Sequence, residues 1–128
     1  MLTARRGDSF RAAGAWLSMN AAWTAATDAR RARLGVTVGK RMARRSIDRA
    51  LVKRLLREAF RHFSPALDRA ALRAGVAVDA SLRLKTPLAE PGTPRRLPLA
   101  TLRRSLRADA DGLLAALAAR LSTLEAHA

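Results

Sequence analysis

The chain has 128 residues, 49% of them apolar, and 25 Lys+Arg against 10 Asp+Glu give it a formal charge of +15. That content supports one modest core, and the charge calls for an acidic partner, either nucleic acid or an anionic membrane surface. The lack of cysteine excludes disulfides, a thiolate nucleophile and a cysteine-based zinc site, and it fits a reducing, cytoplasmic setting.

In chain order, residues 1–13 read as a polar, irregular lead, and they lack the apolar stretch of a secretory signal. A strand is predicted over Ala15–Trp23, with Leu17, Met19 and Ala21 alternating with Trp16, Ser18 and Asn20. A basic turn at Thr27–Arg33 leads to a second strand over Leu34–Gly39. Here Leu34, Val36 and Val38 point inward, and Gly35 and Thr37 point out. A basic helix follows and is expected to end near Phe63, with Pro65 as its stop signal.

A third strand is predicted over Gly75–Leu84. The segment 86–98 holds four prolines and Gly92 and reads as a loop carrying Arg95 and Arg96. The last element, Leu99 to about Leu121, is helical, with Leu102, Leu106, Ala110, Leu113, Leu117 and Leu121 along one stripe. The β-β-α-β-α order predicts an α+β single-domain α-β sandwich, a small sheet with helices packed on it. No run of about 18 apolar residues exists to span a bilayer.

The basic helix is the most informative segment. Ile47, Leu51, Val52, Leu55, Leu56, Ala59 and Phe63 fall on one side of it at about 100° per residue, with Arg49, Lys53, Arg54, Arg57 and Arg61 on the other. Solvated helix faces usually alternate Glu with Lys at i,i+4, but Arg49, Lys53, Arg57 and Arg61 carry one sign and repel. Arg44 and Arg45 sit near the positive end of the helix dipole, where an anion would offset them. Ser46 is the candidate N-cap. The face is suited to phosphate.

The strand end Val38-Gly39-Lys40-Arg41 and the helix residues Arg49, Val52-Lys53-Arg54 and Arg57-Glu58-Ala59-Phe60-Arg61 resemble the bacterial ribonuclease P protein subunit. That family has an R-N-R-x-K-R pattern in a helix that follows a V-x-K-K strand end. The resemblance is strong over residues 33–63 and extends in element order from Ala15 to Leu121. Ala50 stands where the family has Asn, and Leu51 where it has the second Arg, so no contact is carried over to either. The family usually opens with a first helix, and the short lead here is expected to thin that wall of its cleft.

The resemblance implies a left-handed β-α-β crossover, against the usual right-handed rule. It implies a subunit of an endoribonuclease in which the catalytic RNA performs tRNA 5′ maturation and the protein alone is inactive. The partners implied are that RNA and precursor tRNA, with no membrane and no obligate protein partner. Mg²⁺ is expected to be held mainly by the RNA, with none bound by the protein alone. Lys40, Arg41, Arg45, Arg49, Lys53, Arg54, Arg57 and Arg61 are the expected RNA-binding residues. Trp16, Ser18, Thr37 and Phe10 are the candidates for touching the 5′ leader of precursor tRNA, since single strands stack on aromatic rings. For Trp16 a second reading stands: packing under the last helix.

The residues themselves offer no protein active site. His62 and His127 are isolated, and Asp109 and Asp111 are two apart on a helix, so they diverge. There is no HExxH, paired-carboxylate or phosphate-loop motif. Two rivals remain. A ribosomal or DNA-associated basic binding protein would explain the charge but not the V-x-K-R strand end. A membrane-surface helix would need its apolar side free.

Overall fold

Strict period-two burial marks the two central strands of the sheet. In the computed structural model, which describes residues 9–25, 32–89, 92 and 95–126, these are β2 (Leu17–Ala25) and β4 (Val76–Leu84). Leu17, Met19, Ala21 and Trp23 are buried on β2, as are Val76, Val78, Ala80, Leu82 and Leu84 on β4. The flanking strands are β1 (Ser9–Ala13) and β3 (Ala32–Thr37), and the helices are α1 (Ser46–Ala74) and α2 (Leu99–Ala126). The sheet order is β1-β2-β4-β3, antiparallel except for the β3–β4 pair. This is an α+β single domain, in which α1 is the crossover between the two parallel strands.

Both helices pack on the face that carries Leu17, Met19 and Leu82, and with it they form one core cluster. From α1 it takes Val52, Leu56, Ala59, Leu67, Ala70 and Ala71, and from α2 the whole predicted leucine stripe together with Leu114. Each leucine fully removed from water contributes about 1.5–3 kcal/mol. The +15 chain therefore rests on a leucine-dense core between the two helices and one side of the sheet.

Several boundaries differ from the sequence reading. The expected irregular lead contains a strand, because Ser9–Ala13 gains a full ladder by pairing with β2 in a hairpin whose Gly14 N–H donates to the Leu17 carbonyl at 2.8 Å. The order is therefore β-β-β-α-β-α. β2 starts at Leu17, two residues later than expected, because residues 14–16 form that hairpin turn. β3 ends at Thr37, and Gly39 begins the turn that leads into α1. The basic turn expected at Thr27–Arg33 lies mostly outside the described residues.

Pro65 does not stop α1, which runs on to Ala74. A proline inside a helix removes one backbone bond and costs about 3 kcal/mol. The buried residues Leu67, Ala70 and Ala71 beyond it offset that cost through packing. The stop is Gly75 (φ 73), whose left-handed conformation lets its N–H close the last turn on Leu72. At the other end the N-cap is Arg45, with no side-chain cap bond, and the expected cap Ser46 is the first helical residue.

Candidate nucleic-acid interface

α1 is rotated relative to the amphipathic arc predicted for it. Its buried line runs through Asp48, Val52, Leu56 and Ala59. Ile47 was expected in the core and is 66% exposed, and Leu51 is half-buried at the flank. α1 packs against α2 and also against β3 and β4, and its buried line follows those contacts. Hydrophobicity alone cannot see those neighbours. The outermost ridge of α1 is Ala50, Arg54, Arg57 and Arg61, all exposed, with Ile47 and Glu58 beside it.

The predicted basic residues thus fall into three groups. Arg54, Arg57 and Arg61 form the ridge, and Arg45, Lys40 and Arg41 stand exposed in the turn before the helix. Arg49 and Lys53 are half-buried on the flank. Arg49 folds back on the turn: its Nη1 donates to the carbonyls of Ala43 at 2.9 Å and Arg44 at 2.8 Å. Those carbonyls precede the helix and have no ladder partner there, so the guanidinium satisfies both and fixes how the turn joins α1. Asp48, which is 8% exposed, faces Arg96 of the proline-rich loop at 3.7 Å.

The second surface is the face of the sheet that neither helix covers. Cross-strand register aligns it in three rows across all four strands. One row is Ala13, Ser18, Arg83 and Thr37, the next Arg11, Asn20, Ser81 and Gly35, and the last Ser9, Ala22, Asp79 and Arg33. Arg33 and Asp79 are paired at 2.9 Å. The side chains are small or polar, with arginines at both edges, and a shallow depression of ≈ 400 Å³ lies over β1, β2 and β4. An extended strand of nucleic acid could lie along it with bases on small side chains and phosphates near arginines.

Ser18 and Thr37 share one row of this open face, as their strand parity predicted. Phe10 does not join them. It pairs with Ala21, on the core side, and packs half-buried against the core. Trp16 lies in the hairpin turn, half-buried against the core, and its N–H donates to Asp109 of α2 at 3.1 Å. The packing reading for Trp16 is the one the geometry favours. Sequence reasoning missed Arg11, Asn20, Ser81 and Arg83. The alternation of Ser81 and Arg83 with Leu82 and Leu84 was available as a signal, but β1 and its register were not.

A family model described as Ribonuclease P matches residues 3–94, which hold the four strands and α1. The chain belongs to the ribonuclease P protein family. Among curated relatives, the "Ribonuclease P protein component" of Legionella pneumophila strains Corby, Lens and Paris is 46% identical over 59 residues in each case. That stretch is 44% of this chain and 52% of each relative, so the chain spans about half the length of the curated relatives it matches. No solved structure matches. The ribonuclease P match takes in the turn, the ridge of α1 and the open face of the sheet, and leaves out residues from Arg95 onward. Among the described residues, no helix is long and apolar enough to cross a membrane.

Proposed function

We propose that the chain is the protein subunit of bacterial ribonuclease P and works in the cytoplasm on the 5′ maturation of tRNA. The observation that carries this reading is the like-charged ridge Arg54, Arg57 and Arg61, exposed on α1 within the family-matched segment. Guanidinium groups in that setting bind RNA phosphates in bidentate fashion, and the release of condensed counterions drives association. Lys40, Arg41 and Arg45 extend the surface past the end of β3, and Lys53 borders it.

In this reading the open sheet face takes the single-stranded leader of precursor tRNA. Ser18, Asn20 and Ser81 offer hydrogen bonds, and Arg83 and Arg11 offer charge. The protein supplies binding and orientation, and the RNA with its Mg²⁺ ions cleaves the phosphodiester. Arginine charge also neutralises RNA phosphates that would otherwise need more Mg²⁺. Arg49 serves as a positioning residue, since it holds the turn that presents Lys40 and Arg41.

The test is to purify the chain from its own cells and sequence the RNA bound to it. Strong enrichment of the catalytic RNA and of tRNA precursors is expected. Recovery of ribosomal RNA or DNA without the catalytic RNA would favour a general basic binding protein instead.

A further inference from the structure

Glu58 is the one acid among the exposed residues of α1. Arg54 lies one turn before it and Arg61 and His62 one turn after, spacings at which opposite charges on a helix ordinarily pair. Among the described residues, however, its carboxylate makes no ion pair or hydrogen bond. It lines instead a groove of ≈ 460 Å³ where α2 packs beside α1, together with Arg61, His62 and Arg107.

On the α2 wall, the Nε of Arg107 donates to the Asp111 carboxylate at 2.9 Å. That bond fixes the guanidinium and leaves its Nη groups without a partner among the described residues. Arg103 sits one turn earlier on the same flank of α2 and is exposed. The α1 wall adds the exposed guanidinium of Arg61 and the imidazole of His62. A bare anion is a poor match for this arrangement, because Glu58 would repel it. The groove suits a ligand that carries negative oxygens and N–H donors at once, with a planar group on which guanidinium or imidazole can stack.

We propose that the α1–α2 groove binds a guanine nucleotide, with the base edge on Glu58 and the phosphate on Arg61 and Arg107. Guanine alone of the four RNA bases sets a ring N–H beside an amino group on its Watson–Crick edge, two donors that match the two oxygens of one carboxylate. Cytosine and adenine place a ring acceptor next to the amino group, and uracil has one N–H between two carbonyls. Each of these would leave a carboxylate oxygen facing an acceptor. The groove volume lies within the range of small-ligand clefts, about 300–1,000 Å³. Two sources supply this chemistry, a free guanine nucleotide and an unstacked guanosine in an RNA strand. The inference goes beyond the function proposed above, and the α2 wall falls outside the family-matched residues 3–94.

The test titrates the full chain, at fixed salt, with GMP, AMP and UMP, then with a uridine hexamer and the same hexamer carrying one central guanosine. The ratio of affinities is read, in the parent and in Glu58→Ala and Arg61→Gln. The parent should favour the guanine ligand by about tenfold or more. Glu58→Ala should bring the ratio close to one, whereas Arg61→Gln should weaken every ligand alike and keep the ratio. Both side chains are exposed, so the thermal midpoint should hold in both variants. A preference for GMP makes the free nucleotide a sufficient ligand, and a preference seen only in the hexamer assigns the groove to an RNA-borne guanosine. No preference in either series, or one that survives in Glu58→Ala, overturns the inference. That failure leaves the proposed function standing, because phosphate binding by the α1 ridge does not use Glu58.

Discussion

The carboxylate of Asp109 occupies the space that a side chain at Gly14 would need. It accepts N–H bonds from Ala15 and Trp16 at 3.1 Å and from Leu17 at 2.8 Å, closing the β1–β2 hairpin turn from α2. A Cβ on Gly14 would run into that carboxylate. The turn is tied on its other side as well, with Lys85 N–H donating to the Trp16 carbonyl at 2.9 Å and the Thr86 hydroxyl to the Ala15 carbonyl at 2.6 Å. One acid of the last helix thus sets the edge of the sheet face that the leader is proposed to use.

Replacing that acid should therefore cost stability. Asp109→Ala removes three charge-assisted bonds and leaves backbone N–H groups without an acceptor, a loss of about 2–3 kcal/mol. Asp109→Asn keeps an acceptor oxygen and should lose roughly half as much. Gly14→Ala should be as harmful as Asp109→Ala, because backbone or carboxylate must shift. Denaturant midpoints of the three variants check this, and a stable Gly14→Ala protein would contradict the packing described.

Arg49 and the ridge arginines should separate in the same pair of measurements. Arg49→Ala leaves the Ala43 and Arg44 carbonyls without their donor and should cost about 1–2 kcal/mol in stability. Its effect on the salt dependence of RNA binding should be small. Arg54→Ala and Arg57→Ala should leave stability within about 0.5 kcal/mol, being exposed, and lower the salt slope instead. Thermal melts and salt titrations on the three variants decide it.

Leu51→Arg tests the rotation of α1. The apolar arc read from sequence puts Leu51 in the core, where arginine would be costly. It is half-buried at the flank, so the change should cost no more than about 1 kcal/mol. It also returns a guanidinium to the position where the family pattern has one, and RNA affinity should rise. Ala50 lies on the exposed ridge, and Ala50→Asn should cost only about 0.5 kcal/mol of helix propensity. A large drop in the melting point for Leu51→Arg would mean that the side chain is buried after all.

A negative charge placed on the open sheet face should repel the leader alone. Asn20→Glu sits mid-row between Arg11 and Ser81. It should weaken binding of long-leader precursor by on the order of 1 kcal/mol and leave mature tRNA unaffected. Equilibrium binding to the assembled holoenzyme, with and without leader, is the measurement.

The sequence made the two central strands and the leucine stripe of α2 legible because their periodicities are strict and their neighbours bury one face of each. The basic, like-charged character of α1 was legible from the spacing of its arginines. What escaped depends on contacts between distant segments. β1 is a strand through its register with β2, Pro65 is tolerated because the helix beyond it packs, and Ile47 faces outward because the buried line of α1 runs through Asp48, Val52 and Leu56 instead. Phe10 fell on the core side because its hairpin register could not be known from five residues. Arg49 looked like one more cation in a row, and only the geometry of the turn shows its second task.

Reconstitution decides whether this chain binds the catalytic RNA and lets that RNA cleave. Precursor tRNA is incubated at low Mg²⁺ with the catalytic RNA from the same organism, with the purified chain, and with both. Cleavage at the mature 5′ end should require the RNA and rise sharply when the chain is added, with the chain alone inactive. Cleavage by the RNA-free chain, or no gain over the RNA by itself, would mean that the chain is not a non-catalytic subunit of this RNA enzyme.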